Sequence, residues 1–229
     1  MSDASLGDLR AIVFDVAGTL YVSPEFDSLV DEQAEAAIAR SRGCSMDEAG
    51  AILEERRKEN VRLHGDKSKV RALEALGISR EEFHGAVTAL DPTPFLEGAP
   101  RLGAFFDELR SRCLKIGILS NFRRPLVAKI LDLLEISSAQ IDAIIGEDDG
   151  LPIKPSPIPF RTVCERLAVA PQDALFVGDS LSKDLAPAKS VGMRTVFVAS
   201  GKPDGTIEAA DYQVDDVRGV ARLIANAST

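Results

Sequence analysis

Cysteine is scarce in this chain: Cys44, Cys113 and Cys164 are scattered through 229 residues with no Cys-x-x-Cys pair. An odd, dispersed set excludes a disulfide framework and a cysteine zinc site, and it suits thiols kept reduced in the cytoplasm. Histidine is scarcer still, with only His64 and His84, and both fall in a stretch that reads as helical surface. Positive charge is in deficit, 27 Lys and Arg against 36 Asp and Glu, a formal net charge of -9. That balance excludes a basic nucleic-acid surface, although an acidic protein can still hold an anion in a local site. No apolar run approaches the length of a membrane span, the polar opening Met1 to Leu9 does not read as a signal peptide, and there are no repeats. The expectation is a cytoplasmic protein without a nucleic-acid or membrane partner. Oligomeric state has no signature in the chain.

What is present is an alternation of short β-branched runs and helix-period segments. The strand candidates are 11–15, 115–119, 142–145, 174–178 and 194–199. Helices are expected at about 98–112, 123–135, 157–168, 183–191 and 216–226. Such alternation implies βαβ units and a parallel sheet covered on both faces, a doubly wound α/β core over 1–20 and 96–229. Residues 21–95 break the pattern with amphipathic, charged stretches near 25–42, 46–63, 67–77 and 79–90. An insert of that length needs its own structure, so a small all-α cap domain is expected there. The segment Asp91-Pro92-Thr93-Pro94 would return the chain to the core.

Four strand ends carry polar residues suited to one phosphoryl-transfer site. Asp15 closes the run Ala11-Ile12-Val13-Phe14, just before a Gly18-Thr19 turn, where open α/β sheets place their chemistry. Ser120-Asn121 follows Ile116-Gly117-Ile118-Leu119, and Lys154 sits in the proline-stiffened loop Leu151-Pro152-Ile153-Lys154-Pro155. Gly178-Asp179-Ser180 with Asp184 follows a buried strand. A phosphomonoester needs its charge neutralised before a carboxylate can approach. Asp15 and Asp179 could share a Mg²⁺, while Ser120 and Lys154 bind phosphoryl oxygens. Attack by Asp15 would then give an aspartyl-phosphate that water hydrolyses. Thr19 and Asn121 are expected to help bind the substrate.

The order and spacing of these four segments resemble the haloacid dehalogenase superfamily of hydrolases. Its first motif, Asp-x-Asp-Gly-Thr, is matched by Asp15-Val16-Ala17-Gly18-Thr19, its second by Ser120 and its third by Lys154. Its fourth is matched by Gly178-Asp179-Ser180 with Asp184. The resemblance implies that Asp15 is the nucleophile and that the carbonyl of Ala17 joins Asp15 and Asp179 on the metal. Asp184 and Ser180 would support the site, and the insert would be the cap that many members carry.

The departure is Ala17. In phosphatases of the superfamily the second aspartate protonates the leaving alcohol and then activates water, and losing such a group costs about 10²–10⁴-fold. One reading is a phosphohydrolase of a small phosphorylated metabolite, slowed or altered at this step. A second is C–P bond cleavage, because phosphonoacetaldehyde hydrolases look similar at this motif. Such an enzyme would take a phosphonate substrate and use a cap lysine, with Lys58, Lys67 and Lys69 the candidates. A dehalogenase fits less well, since those enzymes lack the metal and depart from Gly-Asp-Ser. A phosphate- and Mg²⁺-binding module with little turnover is the non-enzymatic alternative.

Overall fold

The structure, a computed structural model, describes residues 6–65, 67–200 and 210–227. The chain divides into two compact units, Met1–Val22 with Leu96–Thr229, and Ser23–Phe95. The first unit is built on a six-stranded parallel sheet. Its strands are β1 (Ala11–Phe14), β2 (Lys115–Leu119), β3 (Ala143–Ile145), β4 (Ala174–Gly178), β5 (Arg194–Val198) and β6 (Tyr212–Val214). They lie in the order β3-β2-β1-β4-β5-β6, the order of a doubly wound sheet. The four inner strands are near-continuous apolar runs because helices cover both faces. Ala11 and Val13 point into one layer with Phe160, Val163 and Leu167. Phe14 points into the other, against Phe105 and Phe106 at ring separations of 6.1 and 5.3 Å.

Two elements depart from the expectation. The helix expected at 183–191 opens as one π turn, Leu181–Leu185, before a short α stretch, Ala186–Ser190. Pro187, lacking an N–H, is accommodated in the first turn of that stretch. The helix expected to begin at residue 98 begins at Gly103 instead. A Cβ on Gly103 would lie 2.5 Å from the Glu135 carbonyl, so the helix starts where the chain can pass close to that turn. β6 has no counterpart in the sequence reading: it is three residues of mixed polarity, pinned by Asp211, which accepts from Thr195 N and Oγ1 at 2.8 and 2.9 Å.

The second unit is helical: α1 (Pro24–Arg42), α2 (Met46–His64), α3 (Lys69–Ala75), α4 (Arg80–Thr88) and the start of α5 (Thr93–Leu96). A serine stands at the start of each of the first four, Ser23, Ser45, Ser68 and Ser79, and accepts a backbone N–H of the first turn. Such caps supply acceptors for otherwise orphaned donors. Asp31 of α1 ties three helices together, accepting Arg57 of α2 and Lys69 of α3, each at 2.6 Å. Burial works against charge on Asp31, but Arg57 and Lys69 overcome it and hold the carboxyl below its ordinary value. A depressed carboxyl contributes stability that is present above the unfolded value near 3.8 and is lost as pH falls through the folded one. Asp31→Ala should therefore cost about 1–3 kcal/mol at neutral pH, between the worth of exposed and buried pairs. The gap between thermal melts of wild type and variant should start to close as pH falls below about 3.8 and vanish once the folded carboxyl is protonated. A gap that persists below the folded value would mean packing, not charge, was lost.

Candidate active site

β1 continues to β2 and β3 on one side of the sheet, and β4 to β5 and β6 on the other. The crevice of such a sheet opens at the carboxyl ends of the strands, where this order reverses. Asp15 and Asp179 stand on its two sides. The Asp15 N–H donates to Val177 O at 2.9 Å, so the backbone is held as an extension of β1. Ser120 N donates to Ile145 O at 3.0 Å, fixing the residue after β2 against β3.

Lys154 is the centre of the arrangement. Its Nζ lies 2.6 Å from Asp15 Oδ1 and 2.7 Å from Asp184 Oδ1, with all three side chains buried. The ammonium also sits 5.7 Å from the ring centroid of Phe176 in β4, within cation–π reach. Thr19 Oγ1 donates to Asp15 Oδ2 at 3.3 Å, and Asp184 Oδ2 accepts Ser180 N at 3.1 Å. Ser180 Oγ in turn accepts Lys183 N at 3.3 Å, which shapes the turn that carries Asp184. Ser120 Oγ accepts Phe122 N at 3.1 Å, leaving the hydroxyl proton available to an oxygen of a ligand.

Ala17 and Gly18 belong to the turn after Asp15, where Ala17 bridges to Tyr21 and Gly18 N donates to Tyr21 O at 2.8 Å. Gly18 has φ +85, and a Cβ there would stand 2.4 Å from Asp179 Oδ2. The glycine therefore lets the Asp179 carboxylate lie directly on the turn beside Asp15.

Three carboxylates meet one ammonium here. Asp15, Asp179 and Asp184 each offer a carboxylate oxygen within 4.8 Å of the others. Burial pushes the Asp15 carboxyl up to about 7 against the pull of Lys154, with Asp184 and Asp179 adding to the rise. Asp15 and Asp184 outweigh the effect of burial on Lys154 and raise its value, keeping it charged. The surplus of negative charge and the hard oxygen donors fit a Mg²⁺ ion. Asp15 has its two oxygens on Lys154 and Thr19, and Asp184 has its two on Lys154 and Ser180 N.

Residues 9–192 match the haloacid dehalogenase-like hydrolase family. The chain belongs to that family. It is similar to the phosphoglycolate phosphatase of Escherichia coli O157:H7, with 33% identity over 92% of this chain and 88% of that protein. A phosphoglycolate phosphatase of Aquifex aeolicus is 26% identical over 95% of this chain and 98% of its own length. Among solved structures, a HAD phosphatase from Thermococcus onnurineus matches with TM-score 0.66 and 28% identity, covering 94% of this chain and 98% of that one.

Within this haloacid dehalogenase-like hydrolase, Asp15, Thr19, Lys154 and Asp184 form one bonded cluster, with Asp179 beside them and Ser180 behind Asp184. Asn121, expected to help bind the substrate, has its carboxamide on the backbone of Lys154. It accepts Lys154 N at 3.0 Å and donates to Lys154 O at 3.1 Å. Glu147 was missed: it is buried after β3 and accepts Arg123 Nε at 2.8 Å, joining the loops that follow β2 and β3. An acid in the run Glu147-Asp148-Asp149 reads as a solvated turn, and its partner 24 positions away has no local signature. Of the lysines considered for Schiff-base chemistry, Lys58 and Lys67 are exposed, while Lys69 is held on Asp31.

Gly18→Ala should abolish most hydrolytic activity, because its Cβ would displace Asp179. Gly43 has a similar positive φ, +65, with nothing within 4 Å of an added Cβ. Gly43→Ala therefore shares the backbone strain without the collision, and should keep wild-type activity with a slightly lower Tm. Equal activity losses in the two variants would remove the Asp179 contact as the cause.

Proposed function

We propose that this hydrolase is a Mg²⁺-dependent phosphatase of a small phosphorylated metabolite, working through a phosphorylated Asp15. The observation that carries the reading is the buried Lys154 clamped between Asp15 and Asp184 at the switch point of the sheet. The phosphoglycolate phosphatases among its relatives make phosphoglycolate, a small phosphorylated acid, the first substrate to try. The three free cysteines suit a reducing cytoplasm. The helical unit Ser23–Phe95 is assigned the role of a cap that selects the substrate.

In this reading a carboxylate oxygen of Asp15 forms a bond to phosphorus as the bond to the leaving oxygen breaks, and water later cleaves the aspartyl-phosphate. Lys154 holds the Asp15 carboxylate in one orientation and offsets charge on the phosphoryl oxygens, and the Ser120 hydroxyl donates to one of them. Mg²⁺ held by Asp15, Asp179 and the Ala17 carbonyl would neutralise the repulsion between nucleophile and phosphoryl group. Ala17 contributes no proton to the departing oxygen. Substrates whose leaving groups are stable as anions, acyl or aryl phosphates, should suffer least from this.

The phosphonate reading would require a lysine amine for the aldehyde, and the phosphatase relatives favour hydrolysis of a phosphate ester. Its direct check is borohydride trapping with phosphonoacetaldehyde, for which no adduct is expected.

Two measurements test the proposal. Wild type incubated with Mg²⁺ and p-nitrophenyl phosphate should release nitrophenol and, after acid quench, carry phosphate on Asp15 by mass spectrometry. Chelation of the metal and Asp15→Asn should each eliminate both signals; undiminished labelling of Asp15→Asn would sink the nucleophile assignment. Ala17→Asp should raise the rate by about 10²–10⁴-fold on phosphoglycolate, the scale of a restored general acid, and by less on p-nitrophenyl phosphate. Equal rates for Ala17→Asp and wild type on phosphoglycolate would show that protonation at this position is not what limits turnover.

A further inference from the structure

We infer that Asn121 is a positioning residue that locks Lys154 to the strand end bearing Ser120, so that the two groups meeting the phosphoryl oxygens are held as one body. The inference rests on the reading of Lys154 and Ser120 given under the proposed function. Asn121 Oδ1 accepts the N–H of Lys154 at 3.0 Å, and its Nδ2 donates to the carbonyl of the same residue at 3.1 Å. One carboxamide thus satisfies both polar groups of a single residue 33 positions away, as a neighbouring strand would.

The loop needs that substitute. Pro152, Pro155 and Pro157 flank Lys154 in sequence, and proline has no N–H with which to tie a loop down. The Lys154 side chain has four rotatable carbons, and its ammonium is useful only where it reaches Asp15 and Asp184. Those contacts, at 2.6 and 2.7 Å, depend on where the Lys154 Cα stands. Asn121 fixes that point relative to Ser120, its immediate neighbour, whose hydroxyl has its proton free of the Phe122 N–H bond. A displacement of about 1 Å in such a site can cost 10²-fold in rate.

The chemistry is specific to a carboxamide. Aspartate would keep the acceptor for Lys154 N–H but would turn a lone pair toward the Lys154 carbonyl. Alanine would leave both polar groups without this partner. Asn121 carries the acceptor and the donor that the backbone N–H and C=O of one residue require.

A double-mutant cycle with p-nitrophenyl phosphate and Mg²⁺ tests this. Asn121→Ala should lower kcat by about 10–10²-fold, the scale of a slight misplacement, with KM within about twofold of wild type. In a Lys154→Met background the same substitution should change kcat/KM by less than about twofold, because Asn121 acts only through Lys154. A rise in KM at constant kcat would make Asn121 a direct substrate ligand. An equal factor in both backgrounds would likewise overturn the inference.

Should Lys154→Met fail to fold, a crystal structure of Asn121→Ala decides. The Lys154 ammonium should have left hydrogen-bonding distance of Asp15 while the sheet superposes on wild type; an unmoved ammonium would overturn the inference. Failure of the phosphatase reading itself would show separately, as wild type without hydrolysis or labelling of Asp15. The crystal structure would still report whether Asn121 places Lys154.

Discussion

The ammonium of Lys154, buried between Asp15 and Asp184, is the interaction on which the rest of the site depends. Burying charged groups is costly, and removing one partner from such a set leaves an uncompensated charge at a price of about 3–5 kcal/mol. The surroundings are built to prevent that. Asp184 keeps its second oxygen on Ser180 N, Asp15 keeps its own on Thr19, and Phe176 lies beneath the ammonium. Thr19 follows β1, Phe176 and Ser180 belong to β4 and its end, and Lys154 lies in the loop after β3, so the cluster forms only once these three parts of the chain are in register.

That cluster also explains the strand order. A parallel sheet with its reversal between β1 and β4 brings two carboxylate-bearing strand ends side by side. Backbone bonds extend the strands just past their ends, as with Asp15 N on Val177 O. The Asp15 carboxylate is thereby placed by the ladder and not by a loop. Gly18 then permits the turn after Asp15 to approach Asp179 more closely than any side chain would allow. The negative surplus that results fits a divalent cation, and the proposed phosphatase chemistry uses it.

Ala17 gives the site its particular character. Around it Thr19 donates to Asp15 and Ala17 bridges to Tyr21. In the proposed reading, the carboxyl group that would handle the leaving-group proton is missing. The groups proposed for nucleophilic attack and phosphoryl binding are therefore separable from leaving-group protonation in this chain.

The four inner strands and the long helices α1 and α2 could be read from the chain because their signals are local: β-branched runs, helical periodicity and serine caps. So could Asp15, Lys154, Asp179 and Asp184 as polar residues at strand ends. β6 could not, because three residues of mixed polarity carry no period and owe their place to Asp211 on Thr195. The π turn before Ala186 was likewise hidden within a helical pattern. The amino-acid order by itself determined the inner strands, the long helices and which strand ends carry polar residues, since apolar period and capping act over a few residues. Only the tertiary structure decided that Lys154 meets Asp15 across 139 positions and that Asn121 meets the Lys154 backbone. Hydrogen bonds and charge pairs act through space, and their partners are chosen by how the chain folds back on itself.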